Sequence, residues 1–220
     1  MSDFALVIQA RMDSSRLPGK VLLPFGKSTV LGFLLNRLRA HFKDAVIIVA
    51  TSTNTKDQQI VDYCNDLRVR VICGDETNVL SRYIKVAREC NTKHLVRLTS
   101  DNPLISTELI ERCVEKHQLT GAELTSTRHI SDDLSIHRVS PKGMSVDVIK
   151  VSALMALENL NLKPYEYEHV IPYFFFHRRP VAVLTKDEIS DLKFDRATYS
   201  IDTREDYAEM FSYAKKLGLE

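Results

Sequence analysis

Three permanent cations, Arg11, Arg16 and Lys20, stand within ten positions of the segment ARMDSSRLPGK, where Asp13 is the one acid. Ser14, Ser15 and Gly19 leave backbone N–H groups unshielded, and Pro18 fixes a turn. The segment follows the apolar run Phe4–Gln9, which reads as a buried strand. A strand that runs into a cationic, small-residue loop is what a polyanion such as a triphosphate requires. A solvated basic loop between a strand and a helix is the competing reading, and charge alone does not separate the two. The loop is neither a Walker A sequence nor a G-x-G-x-x-G fingerprint, because Gly19 stands alone.

Asp101 is the second residue whose position suggests chemistry. It follows the apolar run His94–Thr99, and a carboxylate at such a strand end can hold Mg²⁺ against a triphosphate. Asp-Asn-Pro is equally good turn chemistry. Thr51 and Ser52 end another apolar run and could hydrogen-bond a pyrimidine edge or cap their own loop. Arg97 alternates into the fourth strand, where it could order phosphate or Asp101, or make a surface ion pair.

The elements that must position these residues alternate strand and helix. Strands are expected at Phe4–Gln9, Ala45–Ala50, Val69–Cys73 and His94–Thr99. Helices are expected from Thr29 to about His41 with Ser28 as cap, from Thr55, and over Val79–Cys90 and Thr107–Lys116. Four consecutive βα units imply an α/β fold, a doubly wound and mostly parallel sheet. Ligands of such sheets sit beyond the C-terminal strand ends, at a switch in strand order. That rule puts 10–20, 51–54, 74–76 and 100–103 on one rim.

The second half is less regular. Ser135–Val139 and Met144–Ile149 read as an antiparallel ribbon joined through Pro141-Lys142-Gly143. Helices are expected at Ser152–Asn159, Tyr167–Phe176 and Thr203–Leu217, with a strand at Val181–Thr185. Asp202 could N-cap the closing helix with Glu205 as capping-box partner.

Composition sets limits on function. The 220 residues carry 30 Lys+Arg against 29 Asp+Glu, so a net charge of +1 gives no general attraction to nucleic acid or membrane. No apolar stretch approaches the roughly 20 residues that span a bilayer. Met1-Ser2-Asp3 leads directly into a strand, so no signal peptide is expected and the cytoplasm is the default location. Cys64, Cys73, Cys90 and Cys113 lack metal-finger spacing and read as free thiols.

The opening loop fits A-R-x-x-S-[ST]-R-L-P-x-K and so resembles the cytidylyltransferase family of CMP-sugar synthetases, the CMP-Kdo and CMP-acylneuraminate type. It is most similar to the group of the spore-coat polysaccharide biosynthesis protein F. Further matching segments are ATSTN at 50–54, VLSRY at 79–83, VRLTSDNPLI at 96–105, PKGMSVDV at 141–148, EHVIPYF at 168–174 and IDTREDY at 201–207. Three positions depart from that group: Ser145 replaces a common Asp, Asn78 another, and Ser100 a Gly.

The resemblance implies one Rossmann-like, GT-A-like nucleotidyltransferase domain over 1–220, with about 130–185 forming an acceptor or dimerisation portion. It implies Mg²⁺-dependent transfer from CTP to an acidic sugar for surface polysaccharide, in a cytoplasmic homodimer. Arg11, Arg16 and Lys20 would then be catalytic, and Asp101 and Asp202 would hold the metal. Ala10, Ser14, Ser15, Thr51, Ser52, Arg97 and Ser100 would bind nucleotide; Asp147, Glu168 and His169 are candidates for the acceptor site. Transfer from another nucleotide, a glycosyltransferase of similar topology, and a non-catalytic nucleotide-binding module remain alternatives.

Overall fold

The computed structural model describes residues 3–219; the reading of Met1-Ser2 as the lead into a strand lies outside them. Eleven strands form among these residues: β1 (Phe4–Gln9), β2 (Pro24–Phe25), β3 (Ser28–Thr29), β4 (Val46–Ser52), β5 (Arg70–Gly74), β6 (His94–Thr99), β7 (Leu124–Ser126), β8 (Arg128–Ile130), β9 (Ile136–Arg138), β10 (Asp147–Lys150) and β11 (Val181–Val183). The helices are α1 (Val30–His41), α2 (Gln58–Asp66), α3 (Val79–Glu89), α4 (Thr107–Thr120), α5 (Val151–Met155), α6 (Pro164–His169), α7 (Ile171–Phe176) and α8 (Arg204–Lys216).

Seven strands make the central sheet, in the order β11-β7-β10-β6-β1-β4-β5. Only β10 runs against its neighbours, β6 and β7; every other pairing in this sheet is parallel. Alternation in β1 explains the two layers. Leu6 and Ile8 face a core with α1, α2, α4 and α8, whereas Ala5 and Val7 face a core with α3, α5, α6 and α7. The chain leaves β1 for β4 and β5 on one side and returns to β6 on the other. The loops after β1 and β6 therefore flank the switch point.

Several expectations need correction. Thr29, not Ser28, caps α1 by accepting from the Gly32 N–H at 3.0 Å, while Ser28 bonds the Tyr63 hydroxyl. The antiparallel ribbon pairs β9 with β8, not with 144–149. Val146, Val148 and Ile149 are all buried, so that segment is needed inside the main sheet, where β10 separates β6 from β7. The expected helix over 167–176 is two short helices broken at Val170, which adopts φ +60° ahead of Ile171-Pro172. Proline disfavours a helical residue before it and removes an N–H, so one helix cannot run through. Cys64, Cys73, Cys90 and Cys113 are free thiols. No helix among the described residues is long and apolar enough to cross a membrane.

Candidate active site

The opening loop is pinned at both ends. Ala10 extends the sheet by donating to the Ala50 carbonyl at 3.1 Å, and Met12 N–H donates to Asp57 Oδ1 at 2.6 Å. Gly19 adopts φ +73° and donates back to the Met12 carbonyl at 2.8 Å, which closes the loop. A 3-10 turn over Lys20–Leu22 then directs Lys20 inward, leaving it only 8% exposed.

Two carboxylates receive that ammonium. Lys20 Nζ donates to Asp101 Oδ2 at 2.7 Å, to the Ile201 carbonyl at 2.6 Å and to Asp202 Oδ1 at 3.3 Å. Thr99 Oγ1 donates to Asp101 Oδ1 at 2.7 Å and so orients it from the end of β6. Ile201 N–H donates to the Asp101 carbonyl at 2.9 Å, which brings the chain before α8 against the same strand end.

Asp202 does not cap α8. Thr203 does, with Asp206 as its capping-box partner in place of Glu205, so the Asp202 carboxylate is left for the site. Arg16 reaches Asp202 Oδ1 at 3.0 Å and Lys142 Nζ donates to Oδ2 at 2.5 Å. Burial pushes the Asp202 carboxyl up, but the Lys142 and Lys20 ammonium groups outweigh it and hold its pKa below the ordinary value. Lys142 is set by the turn around Gly143 (φ +90°). A Cβ at Gly143 would lie 2.5 Å from the Ser200 nitrogen, so this close approach excludes a side chain.

The cleft above these groups has a volume of about 250 Å³. Ala10, Arg11, Ser14, Ser15, Arg16, Lys20, Ser100, Asp101 and Asp202 all line it. The side chain of Arg11 makes no hydrogen bond or ion pair among the described residues. A second cleft of about 210 Å³ shares Thr99, Asp101 and Asp202 with the first and adds Arg97, Arg128, Arg138 and Lys142. Asp147, 1% exposed, accepts from Arg97 at 3.2 Å, Arg128 at 2.7 Å and Ser126 at 2.7 Å. The side chain of Arg138 makes no hydrogen bond or ion pair among the described residues.

A family profile described as Cytidylyltransferase matches residues 5–219. The chain belongs to the cytidylyltransferase family. It is 30% identical over 223 residues to the spore coat polysaccharide biosynthesis protein SpsF of Bacillus subtilis, covering 99% of this chain and 89% of that one. A cytidylyltransferase structure from Leptospira borgpetersenii superposes with TM-score 0.81 at 27% identity, over 99% of this chain and 96% of that one. A CMP:2-keto-3-deoxy-manno-octonic acid synthetase complexed with CTP gives TM-score 0.71 over 98% of this chain and 100% of that one. At 14% identity, that last likeness concerns the fold.

The remaining candidate residues of this cytidylyltransferase lie outside the first cleft. Thr51 and Ser52 are buried, and Ser52 Oγ donates to Asp57 Oδ2 at 2.5 Å rather than facing the cleft. Arg97 lines the second cleft, with Asp147 beneath it as its counter-ion. Glu168 and His169 are exposed and line neither cleft. His169 stacks on Tyr165 with ring centroids 4.3 Å apart. Burial lowers the His169 pKa, Glu168 opposes that, and Arg97, Arg128 and Arg11 add to the lowering.

Sequence reading missed Asp57, Lys142, Arg128 and Arg138. Asp57 is buried and ties the loop after β1 to the loop after β4 through Met12 and Ser52. An acid opening a helical stretch looks like an ordinary first-turn residue. Lys142 stood in the matched PKGMSVDV segment, which was the one signal that could have found it.

Proposed function

We propose that this cytidylyltransferase transfers the cytidylyl group of CTP to a hydroxyl of an acidic sugar, releasing pyrophosphate and giving a CMP-sugar for surface polysaccharide. The observation that carries the proposal is the convergence of Asp101 and Asp202 on Lys20 Nζ at the floor of the cleft framed by residues 10–20.

The acceptor hydroxyl attacks the α-phosphorus in line. The new O–P bond forms as the bond from the α-phosphorus to the bridging oxygen breaks, and the hydroxyl proton is released. Charge builds on the phosphate oxygens and the departing pyrophosphate, so the protein's task is to position groups and stabilise charge. Arg11, Arg16 and Lys20 supply fixed positive charge, with the backbone N–H groups of Ser14 and Ser15 beside them.

The donor set fits a divalent metal. Two carboxylates already meet at one cation, and a hard ion such as Mg²⁺ takes one or two carboxylates together with substrate phosphate. Asp101 and Asp202 would hold it, and bound there it supplies further neutralisation of phosphate charge and acidifies the hydroxyl.

The second cleft supports an acidic acceptor. Arg97, Arg128, Arg138 and Lys142 line it, and Asp147 neutralises only part of that charge. Its shared wall at Asp101 and Asp202 puts an occupant next to the phosphate site.

The test is a pyrophosphate-release screen of CTP, UTP, GTP and ATP with Mg²⁺ against acidic and phosphorylated sugars. Release with CTP and an acidic sugar is expected. Release of a nucleoside diphosphate from a sugar nucleotide would mark a glycosyltransferase instead. CTP binding without turnover on any sugar would mark a silent module.

A further inference from the structure

Each aspartate at the floor of the first cleft has one oxygen on Lys20 and the other held by a different donor. Asp101 Oδ2 accepts from Lys20 Nζ at 2.7 Å, while Asp101 Oδ1 accepts from the Thr99 hydroxyl at 2.7 Å. Asp202 Oδ1 accepts from Lys20 Nζ at 3.3 Å and meets Arg16 at 3.0 Å, while Asp202 Oδ2 accepts from Lys142 Nζ at 2.5 Å. With the Ile201 carbonyl at 2.6 Å, the Lys20 ammonium sits among three protein oxygens, one from each of three residues.

The two outer donors are themselves fixed. Thr99 ends β6 and spends its one hydroxyl proton on Asp101, so its oxygen is left to accept from Asn102 Nδ2 at 2.8 Å. The main chain of Lys142 is tied to the segment just before Asp202. Tyr199 N–H donates to the Lys142 carbonyl at 2.7 Å, and Gly143 approaches Ser200 too closely for a Cβ. Lys142 and Asp202 therefore keep their relative position.

A carboxylate ligates a metal through one oxygen or through both. Ca²⁺ takes many oxygens in flexible geometry and accepts both oxygens of one carboxylate, whereas Mg²⁺ demands a near-ideal octahedron. A donor already seated on the second oxygen removes the two-oxygen arrangement. We infer that Lys142 and Thr99 are positioning residues that make the metal site selective: each engages the second oxygen of one aspartate, restricts that aspartate to single-oxygen ligation, and so favours Mg²⁺ over Ca²⁺. Partners of this kind orient metal-ligating groups and tune their affinity. Lys20 and Arg16 differ, because they sit on the oxygens that a metal would take. This inference rests on the reading of Asp101 and Asp202 as metal ligands.

The test uses the full chain with CTP and Mn²⁺. Bound Mn²⁺ is followed by electron paramagnetic resonance and displaced with Mg²⁺ or Ca²⁺, with free CTP as the blank and circular dichroism to confirm folding. Wild type is expected to need about tenfold or more Ca²⁺ than Mg²⁺ for half displacement. Lys142→Met should lose about tenfold of that preference, through tighter Ca²⁺, the scale on which such outer partners act. Lys142→Arg, which still donates, should keep the preference. Thr99→Val should repeat the loss at Asp101, and Thr99→Ser should not. The two pairs act on different aspartates, so a misfolded variant at one leaves the other to decide.

Equal strengthening of Mg²⁺ and Ca²⁺ in Lys142→Met would overturn the inference, since removal of a positive charge alone favours every divalent ion alike. So would an unchanged preference in both Lys142→Met and Thr99→Val, or a wild type indifferent to the two ions. Wild type that binds CTP in calorimetry but holds no Mn²⁺ beyond the blank would sink the metal reading itself, and this inference with it.

Discussion

Lys20 holds two carboxylates together that would otherwise repel, and it does so from a buried position. Its removal should act on catalysis and on metal binding in opposite senses. Lys20→Ala is expected to lower kcat/KM by roughly 2.7–4 kcal/mol of transition-state stabilisation, the scale of one oxyanion-type donor. Calorimetry with Mn²⁺ should show tighter binding in that variant, because the competing ammonium is gone. Wild-type turnover would remove Lys20 from the mechanism.

Asp202 gives a pH prediction at the same scale. Its folded pKa is below the unfolded value, so its stabilisation is present above the ordinary carboxylate value and lost as pH falls through the folded pKa. Lys142→Met removes the cation whose hydrogen bond does most to hold that pKa down. The acid-unfolding midpoint should therefore move to higher pH, as followed by circular dichroism. The gathering of Arg11, Arg16 and Lys20 at one cleft was legible because they fall within one loop. Lys142 was not, because it acts on a residue 60 positions away through a backbone approach at Gly143.

At the scale of elements, capping explains where α1 begins. Thr29→Ala should cost about 1 kcal/mol in urea unfolding, as loss of a side-chain cap does. Ser28→Ala should spare the cap, since Ser28 serves the Tyr63 hydroxyl. Both residues are good caps by type, and only the backbone at Thr29 (φ −109°, ψ 171°) decides between them.

His117 in α4 bonds Thr125 at 2.9 Å and His94 at 3.0 Å, and burial pushes its pKa down to about 4, with His94 and Lys150 adding to the effect. Between pH 6.5 and about 4 the unfolded chain binds the proton that the folded chain refuses. Stability should therefore fall through that window by roughly 2–4 kcal/mol. In His117→Gln, urea titrations at pH 7 and 5 should show a smaller difference than in wild type. Helices with clear apolar stripes, α1 to α4, were readable from spacing. The break between α6 and α7 was not, because a buried Val170 at positive φ is imposed by packing and by Pro172.

Across the whole molecule, strict alternation of apolar strands and amphipathic helices disclosed the parallel half of the sheet and the rim where the loops after β1 and β6 meet. The reversed β10 escaped that logic. Its four residues read as part of a local ribbon, yet Val148 and Ile149 are buried on opposite faces of the central sheet. Under the proposed function that placement matters, because β10 carries Asp147 beneath the second cleft and so joins the basic groove to the carboxylates at the end of β6.

The measurement that bears most directly on the account is a crystal structure with CTP and Mn²⁺, with the metal located by its anomalous signal. The account predicts one metal peak on Asp101 and Asp202, Lys20 drawn from the carboxylates toward phosphate, and the triphosphate along residues 10–20. A nucleotide bound elsewhere, or a metal peak remote from both aspartates while Lys20 keeps its contacts, would contradict it.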